Sequence, residues 1–267
     1  MMKGAIALIL SGAMASSAWA ASVLQVGPDK LYTVPSQAAA AALDGDTIEI
    51  DAGLYQGDVC YWTRNNLTIR GVGGMARLDA IDADGATNSA GDKAIWVIQG
   101  DNTVVENIEF FNCRVPDWNG AGIRQEGNGL TCRNCYFHHN EMGFLGGDGG
   151  SCDIVFENCE FAYNGYGDGY SHNIYVGECN SFTMKHSYSH HSLVGHLVKS
   201  RARNNYILYN RLMDYADGRS SRCIDLPQGG FSVVMGNLIQ HGPLAENEHM
   251  LGYSCESNND WPDQRLW

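Results

Sequence analysis

The sequence predicts an all-β fold in which short parallel strands stack into a solenoid. Three observations lead there. First, the segment DIVFENCEFAYN (153–164), with alternating apolar residues around a turn-forming Asn, returns as TVVENIEFFN from Thr103, LTCRNCYFHHN from Leu130, FTMKHSYSHHS from Phe182, YILYNRLMD from Tyr206 and SVVMGNLIQHG from Ser232. Second, its polar residue recurs as Asn107, Asn134, Asn158, His186, Asn210 and Asn237, at spacings of 27, 24, 28, 24 and 27 residues. A period of that length, made of strands, belongs to stacked coils. Third, the apolar neighbours form columns: Ile108, Cys135 and Cys159, then Phe110, Phe137 and Phe161. No single strand buries its own apolar face, so stacking makes the core, with equivalent residues about 4.8 Å apart. The asparagines are expected to form a ladder at a turn, where Asn tolerates left-handed backbone.

This combination resembles the right-handed parallel β-helix of the pectate-lyase-like superfamily over nearly all of the mature chain. The resemblance implies a right-handed parallel β-helix with a short N-terminal capping helix. An open β-sandwich is the other all-β choice, and it gives no reason for columns at one period. The expected organisation is an export signal over 1–20, an N-terminal cap over 21–45, the parallel β-helix over 46–256, and a C-terminal tail or truncated end over 257–267.

Residues 1–20 carry Lys3, an apolar run from Ala5 to Leu10 and the small-x-small end Ala18-Trp19-Ala20. That pattern reads as a signal cleaved after Ala20, placing the protein in the periplasm or outside the cell. No other stretch is apolar for long enough to span a bilayer. Residues 36–43 read as a helix with Ser36 as N-cap, and Gly45-Asp46 turns the chain into a strand over 47–50. This opening is similar to the N-terminal cap of many extracellular β-helix proteins, and covering the first strand edge is its physical purpose. NLTIRG (66–71) supplies the next strand, the acidic run 79–92 is a loop, and 94–99 resumes the sheet. The loops 114–120, 146–150 and 165–173 are expected at comparable points of successive coils, lining one side. Asp148 and Asp168, set among glycines, offer calcium ligands, but turn chemistry is the better reading of two isolated aspartates. A last strand is expected over 250–253. Beyond it Trp261 and Trp267 either fold back over the last coil or belong to a longer protein.

Nine cysteines in an exported chain suggest disulfides. Yet Cys132, Cys135 and Cys159 fall at inward positions, where cysteine behaves as a small hydrophobe. Cys132-x-x-Cys135 therefore reads as core rather than as a zinc or redox pair. Cys152, Cys179, Cys223 and Cys255 lie nearer turns, and the sequence does not pair them.

The chain carries a formal charge of −13, yet Lys185, Lys199, Arg201, Arg203, Arg211, Arg219 and Arg222 fall in one stretch whose only acids are Asp214 and Asp217. A basic stripe on an acidic exported protein fits an acidic polysaccharide; a solvated face with scattered charges is the alternative. The overall field repels nucleic acid, and no recognition motif is present. A monomer is expected. His138-His139 and His190-His191 occupy equivalent places two coils apart, about 10 Å, too far to share one metal. His172 and His196 each precede the next ladder residue by fourteen positions, which makes them neighbours on adjacent coils. Paired imidazoles depress each other's protonation and supply an acid or base; satisfying turn carbonyls is the simpler alternative.

The segment VKSRARNNYILYNRLMD (198–214) resembles the polysaccharide lyase family that contains alginate lyases and chondroitinase B. There a Lys-Ser pair precedes such a strand and the lysine is the catalytic base. The resemblance implies Lys199 as base. The Arg-His-Gly of that family has no counterpart here, where the following coil reads IDLPQGG, so Arg222 or Arg219 would have to reach the same space, with Asp225 facing outward nearby. Elimination from a uronate needs a base for the C5 proton, cations on the carboxylate and an acid at the leaving oxygen. The expected catalytic residues are Lys199, with a pKa lowered by neighbouring cations, Arg222, and His196 or His172 as acid. Arg201, Arg203, Tyr175 and His191 are the expected substrate-binding residues. The motifs of polygalacturonase-type hydrolases, pectin methylesterases and alginate epimerases are missing. A hydrolase or epimerase with an unrecognised site, or a non-catalytic polysaccharide-binding solenoid, remains the alternative.

Overall fold

The computed structural model describes residues 21–147, 149, 151–256 and 261–267. The export signal expected over 1–20 and Asp148 lie outside the described residues. Every paired strand is parallel to its neighbours, and the strands form two sheets that run the length of the molecule. A long sheet holds sixteen strands and a second sheet holds eight, from Cys60–Trp62 through Ala94–Ile98, Ala121–Gln125, Met142–Gly146, Ile174–Val176, Val198–Ser200 and Ile224–Leu226 to Leu251–Tyr253. Each coil contributes one strand to the second sheet, so the solenoid has about eight turns.

The core follows the expected columns. Phe110, Phe137 and Phe161 are fully buried, with successive ring centroids 5.0 and 4.7 Å apart. Trp62 and Trp96 continue the aromatic column toward the N-terminal end, edge to face. Cys132, Cys135 and Cys159 are buried free thiols in that core. Cys152 and Cys179, one coil apart, form a disulfide that the sequence left unpaired.

The asparagine ladder divides in two. Asn107, Asn134, Asn158 and His186 take left-handed backbone as expected, but the column continues through Tyr209 and Gly236. The coil after His186 is one residue shorter, which moves Asn210 and Asn237 one place on, into line with Ser187. There the Oδ1 of Asn210 accepts the Ser187 N–H at 2.9 Å and that of Asn237 accepts the Asn210 N–H at 2.8 Å. A further ladder was not foreseen. Asn140, Asn164 and Asn173 are fully buried: the side chains of Asn140 and Asn164 accept a backbone N–H of the coil before, that of Asn173 accepts the Asn164 N–H across the 165–172 loop, and each donates to a carbonyl of the phenylalanine column. Turn backbone inside the core is thereby paired rather than left unsatisfied.

Three further expectations change. The helix runs Pro35–Ala41 and its N-cap position is Val34, not Ser36. Ser36 lies inside the first turn, where its N–H and hydroxyl both donate to Asp58. Loops 114–120 and 165–173 do share one side, whereas the described part of the 146–150 loop follows a strand of the second sheet instead of preceding one and so starts from that sheet's opposite edge. The C-terminal segment adds a strand: Arg265–Leu266 pairs with Phe231 and Ser232, and the Trp261 indole donates to the Arg201 carbonyl at 2.9 Å.

Phe137 sits between two stacked rings, and no coil can shift to fill its place. Phe137→Ala is expected to cost about 3–5 kcal/mol of stability, read as a clear fall in the denaturant midpoint; an unchanged midpoint would contradict the stacked core.

Candidate active site

The register of the second sheet assembles the site. Tyr61, Val97, Arg124, Leu145, Tyr175, Lys199, Asp225 and Gly252 are successive Cα partners, one per coil, on the outward face. Beside that column the loops bring His172, His196 and Arg222 into line. The two imidazoles stack with centroids 4.9 Å apart and planes within 8°. The neighbouring coils expected from residue spacing are therefore correct.

Both imidazoles are held by backbone. The Nδ1 of His172 accepts the His196 N–H at 3.0 Å, and the Nδ1 of His196 accepts the Arg222 N–H at 3.1 Å. A ring nitrogen that accepts is unprotonated, so each neutral ring carries its proton on Nε2. Burial pushes the His172 pKa well below the ordinary value, helped by His196, Lys199 and Arg201. Burial also lowers that of His196, to about 4; Asp225 opposes the shift, while Lys199 and Arg222 add to it.

Asp225 faces outward from its coil, as the sequence suggested, but it is not open to solvent. It is 2% exposed, because Lys199, His196 and Arg222 close over it. Its Oδ1 accepts from Arg222 Nη1 at 2.8 Å, while Oδ2 lies 3.4 Å from His196 Nε2 and 3.8 Å from Lys199 Nζ. On the next coil Gly252 leaves the room: a Cβ there would stand 2.6 Å from Asp225 Oδ1. Arg222 thus reaches the space that the sequence offered to it or to Arg219.

Lys199 is not set among cations alone. Glu256, from the segment after the last second-sheet strand, lies 3.7 Å from its Nζ and 2.6 Å from Arg201 Nη1. Tyr175 lies beneath both cations, and its hydroxyl accepts from Arg201 Nε at 2.9 Å. Tyr175 also borders a pocket of about 400 Å³ whose lining mixes Trp118, Met142, Leu145 and Tyr170 with one cation, Arg124, and two carboxylates, Asp117 and Asp168. Trp118, in the pocket lining, stacks on Tyr166 at 4.8 Å, which joins the two loops that flank this side.

Two expected residues lie elsewhere. His191 stacks between Tyr163 and Tyr215 at a corner of the long sheet, with Asp217 3.2 Å from its Nε2. Arg203 occupies the turn that leads from the Val198–Ser200 strand back to the long sheet. The basic stripe is likewise divided: Lys185 pairs with Glu157 at 2.6 Å and Arg211 donates to the Tyr215 hydroxyl, both on the long sheet. Linear clustering of charge did not survive coiling. Asp168 spends its Oδ1 on the N–H groups of Tyr170 and Ser171 and on the Ser171 hydroxyl, the turn role.

The family model for the right-handed beta helix region matches residues 52–237. The chain belongs to the right-handed β-helix family. No curated protein matches the sequence. Among solved structures, a pectin methylesterase in complex with a hexasaccharide is similar at a TM-score of 0.57 and 13% identity, covering 91% of this chain and 92% of that one. The pectin methylesterase PemA from Erwinia chrysanthemi gives 0.53 and 12%, covering 94% of each chain. At such identity the likeness is one of fold. Within this family fold, the outward face of the second sheet carries the polar cluster.

The lowered histidine pKa values set a pH dependence. Between the ordinary value near 6.5 and about 4 the unfolded chain takes up a proton that buried His196 refuses. Stability is therefore full above pH 6.5 and declines as pH falls toward 4, by on the order of 3 kcal/mol from this one group. The denaturant midpoint of His196→Gln is expected to fall less steeply over that window than that of the parent protein, and parallel curves would contradict the assignment.

Proposed function

We propose that the protein is an exported enzyme acting on an acidic polysaccharide, cleaving uronate-containing chains by β-elimination. The observation that carries this reading is the convergence of Lys199, Arg201, Arg222, His172 and His196 on one outward face, beside a pocket walled by Tyr175 and Trp118. The leader-like segment over 1–20 supports export, and among the described residues no helix is long and apolar enough to cross a membrane.

In this reading Lys199, an ammonium in the free protein, first releases a proton to solvent and then, as the neutral amine, takes the C5 proton. The electron pair becomes the C4–C5 double bond, the C4–O bond breaks, and the proton carried by Lys199 is the one the leaving oxygen needs. Arg201 and Arg222 hold the carboxylate on which charge develops, Arg being suited to bidentate contact. The Nε2–H tautomer suits His172 to donating a hydrogen bond to a substrate oxygen, a role that a neutral imidazole fills without losing its proton, whereas the Nε2 of His196 faces Asp225. Asp225 orients His196 and Arg222 from below.

A second reading is ester hydrolysis. The buried Asp225–Arg222 pair favours it, being a carboxylate held in place by a guanidinium. Pectin methylesterases, including one in complex with a hexasaccharide, are among the similar solved structures. Incubation with a panel of acidic polysaccharides separates the two. Elimination gives ultraviolet absorbance from unsaturated uronate ends, and ester hydrolysis gives alcohol and acid without it. Absorbance is expected, and Lys199→Ala should lower its rate about 100- to 10,000-fold. Full activity in Lys199→Ala would remove the lysine from the mechanism.

A further inference from the structure

Glu256 enters the site from the segment beyond the last second-sheet strand. The Ser254 N–H bonds the Leu226 carbonyl and the Glu256 N–H bonds the Pro227 carbonyl, so its backbone is fixed over the sheet. Its carboxylate bridges Arg201 Nη1 at 2.6 Å and Lys199 Nζ at 3.7 Å. The two cations are nearly covered, at 19% and 14% exposure, whereas the Glu256 side chain is 47% exposed. Both cations rest on the Tyr175 ring, and the same tyrosine borders the 400 Å³ pocket. Asp225 also faces Lys199, but it is buried and held by Arg222, so it is not exchangeable in the same way.

We propose that Glu256 stands in for a substrate carboxylate: it fills the Lys199–Arg201 slot in the free protein and is displaced by the carboxylate of a uronate lying in the pocket. This rests on the reading of the site as one for acidic glycans. An ion pair with one partner in solvent contributes little net stability, so exchanging one carboxylate for another is nearly neutral. The selectivity follows from charge. A neutral sugar cannot satisfy the two cations, and to enter it would have to leave Glu256 in place; an anionic one replaces it group for group.

The test compares the parent protein with Glu256→Ala and Glu256→Gln by calorimetry and kinetics, with a galacturonate trisaccharide, a mannuronate trisaccharide and maltotriose as neutral control. Glu256→Ala is expected to bind at least one uronate trisaccharide about three- to tenfold more tightly, with KM on the matching polymer falling by a similar factor and maltotriose unaffected. Glu256→Gln, which keeps a hydrogen-bonding group at Arg201, should show a smaller gain and serves the same purpose if the alanine protein is unstable. Weaker uronate binding, unchanged binding, or a loss of kcat with KM unchanged would overturn the proposal. Tighter binding without unsaturated product from any variant would leave it standing and overturn elimination. Failure of all three proteins to bind either uronate would overturn both.

Discussion

Everything in this molecule depends on the spacing between stacked coils. Parallel strands about 4.8 Å apart turn a sequence interval of 23 to 28 residues into direct contact. The interval between His172 and His196 becomes a ring stack, and that between Lys199 and Asp225 becomes a strand pair. The same spacing builds the core, because phenylalanines one coil apart meet face to face. It also imposes a cost, since each turn presents backbone amides to the interior. The buried asparagines meet that cost coil by coil. Asn173, the last of one ladder, is chain neighbour to His172, so the ladder that pairs turn backbone also fixes a site residue.

The chemistry of the second sheet comes from a balance of charge. Three cations, Lys199, Arg201 and Arg222, face two carboxylates that differ in kind. Asp225 is buried and structural to the cluster, enclosed by Arg222 and His196. Glu256 lies at the rim, half in solvent. Backbone N–H groups occupy the Nδ1 atoms of both histidines, and burial keeps the rings neutral. Beside the pocket, whose own lining holds Arg124 with Asp117 and Asp168, the face therefore gathers three cations and neutral donors, the groups that recognition of an anionic sugar requires.

Much of this was legible in the chain. The columns of Phe110, Phe137 and Phe161, the buried Cys132, Cys135 and Cys159, and the pairing of His172 with His196 all follow from one period, because the period is the geometry. What failed did so where the period breaks or ends. A coil shorter by one residue moved Asn210 and Asn237 out of the left-handed column. The apparent basic stripe was an artefact of reading a coil as a line, since Lys185 and Arg211 belong to a different sheet from Lys199. His191 carried no mark to distinguish a corner of the long sheet from the groove. Glu256 left no periodic signal at all, because it lies past the last recognisable repeat and reaches the site only through backbone bonds to Leu226 and Pro227.

We propose that an acidic glycan lies along the outward face of the second sheet, with a carboxylate among these cations. A crystal structure of the Lys199→Ala protein soaked with a uronate trisaccharide tests this most directly. A sugar ring is expected in the pocket beside Tyr175 and Trp118, with its carboxylate on Arg201 or Arg222. A trisaccharide bound instead at the long-sheet corner of His191 and Tyr215, or an empty second-sheet face at saturating ligand, would contradict it.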